Sequence, residues 1–213
     1  MKKIITAKDK EHLKNLIRQE IKKNGFNCNL NHIDTSFIID MSQLFELSQF
    51  NGDISQWDTS IVEDMSCMFS SSSFNGDISQ WNTSNVQDMS RMFAYSDFNG
   101  NISSWNVSCV QKMGQMFENS EFNGNISGWN VSNVENMLCM FFESKFSGDT
   151  SNFNCVNLIV MSSIFYNCPA PVPYWAEIKN AQQRVAAINS YQCKKQLEKS
   201  IDNHLLVKSV FKV

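Results

Sequence analysis

One phrase constrains this chain more than any bulk property. FNGDISQWNTSNVQDMSRMF at residues 74–93 returns with small changes from Phe50, Phe98 and Phe122, always 24 residues on. Written in rows of 24, the chain falls into columns. One reads Phe26, Phe50, Phe74, Phe98, Phe122, Phe146, and another Phe45, Phe69, Phe93, Phe117, Phe141, Phe165. Met41, Met65, Met89, Met113, Met137 and Met161 form a third, and Trp57, Trp81, Trp105 and Trp129 a fourth, with Ile33 before it and Phe153 after. Ile38, Val62, Val86, Val110, Val134 and Leu158 make a fifth. A unit this short cannot bury its own apolar face, but stacked copies bury it as one continuous core. The expectation is a repeat solenoid, leucine-rich-repeat-like, with six coils from about Phe26 to Cys168.

Within a coil, DISQW follows the turn dipeptide Asn-Gly and alternates imperfectly, which predicts a short strand around 77–81. SNVQDMSRMF pairs Ser84 with Gln87 at capping-box spacing, and Val86, Met89, Met92 and Phe93 follow as a one-sided stripe. That predicts a short helix or 3-10 turn around 85–93. The same residues also allow a strand on Met-x-x-Met-Phe, which would change the exposed face. Adjacent strands lie about 4.8 Å apart, so a column of bare aspartates would repel itself. The columns Asp53, Asp77, Asn101, Asn125, Asp149 and Asp58, Asn82, Asn106, Asn130 dilute charge with asparagine. Asn51, Asn75, Asn99 and Asn123 read as a ladder for turn backbone groups, and turn-capping is favoured over calcium for all of these columns.

Both ends change character. Residues 1–25 place Leu13, Leu16, Ile17 and Ile21 on one helical face, with Gly25 as a stop, and read as an N-terminal capping helix. Residues 26–168 are the repeat. Residues 169–213 open with Pro169, Pro171 and Pro173, continue as a C-terminal capping helix from Tyr174, and finish as an extended tail. Caps are expected because an open ladder end is a sticky strand edge.

A net charge of −3 offers no basic stripe for nucleic acid. The apolar stretch after MKK is too short for a signal peptide, and no run is long enough for a membrane span, so no export signal, anchor or membrane insertion is expected. The seven cysteines include no C-x-x-C pair and the three histidines are scattered. Zinc is therefore not expected, and the thiols read as free. A nucleophile beside a histidine and an orienting acid is not suggested by any spacing, nor is a phosphate-binding loop, so no catalytic residue and no cofactor is assigned.

The recurring FNGDISxWxxSxVxxMxxMF phrases, with CNLNHIDTSFIIDMSQLF at 28–45 as the first coil, resemble the BspA-like, DUF285-type repeat proteins of bacteria. The resemblance covers about 26–168. It implies a leucine-rich-repeat-like fold and a binding role, many members being regarded as surface-exposed and involved in attachment. This chain departs from them in showing no export signal, lipobox or anchor.

A scaffold for a protein partner is the function expected, with carbohydrate binding through the tryptophan row as the alternative. The repeat leaves the oligomeric state open, a monomer being the simpler expectation. Function should lie where columns break: the outward positions are Arg91, Tyr95 and Asp97 in one coil and Lys112 and Glu118 in the next. Phe142 is an aromatic in a column that reads Glu46, Ser70, Ala94, Glu118, either a contact hot spot or a residue packed under the C-terminal cap.

Overall fold

The structure is a computed structural model that describes residues 3–210, with side chains described through residue 201. Strand β1 (Ile5–Thr6) precedes helix α1 (Lys10–Asn24), and β1 pairs in parallel with β2 (Ile33–Asp34). No further helix or multi-residue strand follows among the described residues until α2 (Tyr174–Glu177) and α3 (Ala181–Val210).

The segment between them is joined to itself at the period of the sequence. Parallel bridges link Asp40 to Asp64, Asp64 to Asp88, Asp88 to Lys112, Lys112 to Asn136 and Asn136 to Val160. After each bridge, every second N–H crosses to the next unit. Met89, Arg91, Phe93 and Tyr95 donate to the carbonyls of Lys112, Gly114, Met116 and Glu118 at 2.8–3.0 Å. The intervening N–H groups turn back locally, Met92 to Met89 and Ala94 to Arg91, both at 3.2 Å.

Of the short helix or 3-10 turn expected at 85–93, the helix does not form. The stripe is a run of tight turns, in which Arg91 and Tyr95 have φ of 58° and 55°. The same two columns are left-handed in every unit, from Gln43 and Leu47 to Ser163 and Asn167. A non-glycine residue there costs roughly 1–2 kcal/mol, and no α-helix tolerates it twice in five residues. Bonds to the neighbouring unit offset that cost. The capping box does not form: the Ser84 N–H goes to Asn82 Oδ1 (3.1 Å) and the Gln87 N–H to the Glu63 carbonyl (2.8 Å). Nor is 77–81 a strand, since Trp81 N–H closes a turn on Ile78. The inter-unit ladder runs instead through the Met-x-x-Met-Phe segment.

The core follows the columns. Ring centroids in the Phe45-to-Phe165 column are 5.5–5.8 Å apart. Those from Phe50 to Phe146 are 6.2–6.3 Å apart. The two columns stack on each other at 4.2–4.6 Å in each unit from Phe45/Phe50 to Phe141/Phe146. Phe26 departs from its column, 45% exposed where Phe50 to Phe146 are fully buried, because no preceding unit lies over it. The glycine of Asn-Gly is needed for space: at Gly100 a Cβ would come within 2.8 Å of the Phe98 ring.

Helix α1 starts at the Asp9 cap (2.8 Å to the His12 N–H), ends at Gly25 with φ 80°, and buries Leu13 and Ile17 in the same core. The expected single C-terminal helix is broken at Ile178, where the backbone is extended, and restarts beyond Asn180, whose Oδ1 takes the Gln183 N–H. The expected extended tail is helical through Val210, and 211–213 lie outside the described residues. Trp175, Ile188 and Arg184 are buried at this end. The Arg184 guanidinium closes it by donating to the Leu158 and Ile178 carbonyls.

Candidate functional site

The tryptophan row offers no platform for a sugar. Trp57, Trp81, Trp105 and Trp129 are each 4% exposed, and each indole N–H donates to a carbonyl 27 residues earlier, as Trp105 does to Ile78 at 3.1 Å. The polar columns are likewise consumed. Asp53, Asp77, Asn101, Asn125 and Asp149 each accept the N–H two residues on, and so do Asp58, Asn82, Asn106 and Asn130. Asn51, Asn75, Asn99 and Asn123 form a ladder in which each Oδ1 takes the N–H 24 residues later, at 2.8–2.9 Å. Among the described residues no group of three or more His, Cys, Asp or Glu is placed to hold a metal ion. Of the cysteines, Cys109 and Cys193 are exposed and Cys28 and Cys155 buried.

What the core and the turns leave over is a band beside the ladder. The left-handed φ at Tyr95 turns its ring outward, 48% exposed, and its hydroxyl donates to Glu118 Oε1 in the next unit at 3.0 Å. Gln115 donates to the other oxygen, Oε2, of the same carboxylate. The bond to Glu118 raises the Tyr95 phenol above its usual value, burial and the Glu118 charge add to this, and Arg91 draws it the other way. Two units further on, Phe142 stacks on Tyr166 at 4.8 Å and 13°.

Arg91, Tyr95, Glu118 and Phe142 are thus brought together in consecutive units. Phe142 forms an aromatic pair with Tyr166 of the last unit. Lys112 sits apart, paired at 3.2 Å with Asp88 in a separate polar row that holds Glu63, Gln87 and Gln111. Asp97 is exposed at the turn after Tyr95, its N–H bonded to the Ser72 carbonyl. Sequence reasoning missed Gln115 and Tyr166. Tyr166 was legible, being the next member of the column that Phe142 breaks.

The chain matches the family described as "Mycoplasma protein of unknown function, DUF285" over residues 12–120 and again over 74–173, and it belongs to that family. No curated protein and no solved structure matches it.

Proposed function

We propose that this DUF285 protein is a non-catalytic scaffold whose stacked units form a leucine-rich-repeat-like solenoid of about six coils, and that it binds a protein partner along the band from Arg91 to Tyr166. Hydrogen bonds offset by 23 residues and rings offset by 24 support the solenoid. The single observation that carries the binding role is where variation falls. Core columns repeat their residue from unit to unit, whereas the outward columns change to Arg91, Tyr95, Glu118, Phe142 and Tyr166. Four of these touch a neighbour in the next or preceding unit, so the band presents aromatic faces and a carboxylate already held in position. Pre-positioned aromatic side chains are the usual anchors of a protein interface, since little side-chain freedom is lost on binding. The Glu118 carboxylate of the band favours a partner with cationic side chains. The attachment role of BspA-like proteins is one form such binding would take.

The test is an Arg91/Tyr95/Phe142 triple-alanine variant, shown by circular dichroism to be folded, used as bait beside the unaltered protein. Capture of a partner by the unaltered chain and its loss by the variant is the expected result. Equal capture by both would remove this band from the interface.

A further inference from the structure

Two outward columns lie outside the band. One reads Ile39, Glu63, Gln87, Gln111, Glu135, Ile159, all of them exposed. Its neighbour, two residues earlier, starts with Phe37 and Ile61 before turning to Asn85, Cys109, Asn133 and Asn157. Phe37, Ile39 and Ile61 are 65%, 54% and 40% exposed at one end, and Ile159 is 75% exposed at the other. The units between hold asparagine, glutamine and glutamate in these columns, so neither the core nor the turns call for apolar side chains there. Exposed apolar groups that a fold does not need mark a contact surface.

A trough of about 440 Å³ runs between the two columns, from Glu63 and Asn85 to Glu135 and Asn157. Its asparagine wall is fixed, because Asn85, Asn133 and Asn157 donate to the Ser60, Ser108 and Ser132 carbonyls at 2.6–2.8 Å. In the other wall the N–H groups of Gln87, Gln111 and Glu135 each reach the carbonyl 24 residues earlier, at 2.8–2.9 Å. The cations nearby are already taken, Lys10 by Asp40 at 2.8 Å and Lys112 by Asp88 at 3.2 Å. Glu63 and Glu135 make no ion pair among the described residues. Along the stack the trough therefore offers an apolar end, a carboxylate, two carboxamides, a second carboxylate and a second apolar end.

We propose that this trough takes an extended peptide laid along the stack, with an apolar side chain at each end and two Lys or Arg residues between them. Units about 4.8 Å apart put Ile39 roughly 24 Å from Ile159, and Glu63 roughly 14 Å from Glu135. An extended chain rises about 3.3 Å per residue and shows every second side chain to one face. Apolar residues at positions 1 and 9 then span about 26 Å, and cations at positions 3 and 7 about 13 Å, all on the face turned to the trough. Position 5 lies over Gln87 and Gln111. This goes beyond the band from Arg91 to Tyr166 and shares no residue with it.

A fluorescein-labelled nonapeptide with leucine at positions 1 and 9, lysine at 3 and 7 and serine elsewhere tests this by fluorescence anisotropy at low ionic strength. Binding is expected, and it should protect exposed Cys109 in the trough wall, but not Cys193, from a thiol reagent. A second peptide with the lysines moved to positions 2 and 8 turns them away from the carboxylates and is expected to bind more weakly. Glu63→Gln and Glu135→Gln introduce the side chain that the column already carries at Gln87 and Gln111, so the fold is kept. Each is expected to weaken binding about threefold, the scale of one exposed ion pair. The Arg91/Tyr95/Phe142 triple-alanine variant is expected to bind the peptide as the unaltered chain does, which separates failure of the band from failure of the trough. No binding by the unaltered chain, equal binding of the two peptides, undiminished binding by the glutamine variants, unprotected Cys109, or loss of binding in the triple-alanine variant would each overturn the proposal.

Discussion

Phe98 and Phe26 occupy one sequence column, and truncating each to alanine separates a stacked column from a coincidence of spelling. Phe98 is fully buried, with ring centroids at 4.2 Å to Phe93 and 6.3 Å to both Phe74 and Phe122. An aromatic side chain buries on the order of 150–250 Å². At about 25 cal/mol per Å² that is roughly 4–6 kcal/mol, an upper figure because the unfolded chain is partly compact. Phe→Ala truncations in protein cores cost about 3–5 kcal/mol, and that is the expected loss for Phe98→Ala. Phe26 keeps 45% of its surface in water and has a unit on one side only, so Phe26→Ala is expected to cost less than about 2 kcal/mol. Urea unfolding followed by circular dichroism measures both, the midpoint reporting the loss at constant slope. If the two variants lose stability to the same extent, the reasoning from stacked units to a shared core is wrong.

Gly100→Ala forces a Cβ to within 2.8 Å of the Phe98 ring; an overpacking loss of about 1–3 kcal/mol is expected in the same urea assay. The five tryptophans are at most 4% exposed, so their emission should be blue-shifted and resistant to iodide, and quenching as strong as that of free tryptophan would contradict their placement. Burial pushes the Cys155 thiol up to about 12 from 9.0 and the Tyr174 phenol up to about 12 from 10.0. Above pH 9 the unfolded chain therefore releases these protons before the folded one does. Stability is present in full below pH 9 and is lost as pH rises towards 12, with Cys155→Ala weakening the lower part of the decline; the urea midpoint against pH measures it. A thiol reagent should label exposed Cys109 and Cys193 in the native protein, and Cys155 only after unfolding.

The 24-residue period was open to reading because a core column must supply the same apolar shape at each level. That necessity is written directly into Phe, Met, Val and Trp. The roles of Asp, Asn and Gly25 were legible for a similar reason, being local: an Asx oxygen reaches an N–H two residues on, and a left-handed stop needs glycine. The ladder segment was not. Apolar residues at i, i+3, i+6 and i+7 suit a helix as well as a run of turns, and nothing local decides between them. The choice is made by carbonyls 23 residues away, which take the Met89, Arg91, Phe93 and Tyr95 N–H groups and hold Arg91 and Tyr95 left-handed. Only that conformation sets Tyr95 beside Glu118 and Phe142 against Tyr166, and sends Lys112 to Asp88 instead. Residue identity determined what each unit buries, and the hydrogen bonds between units decided which side chains it shows.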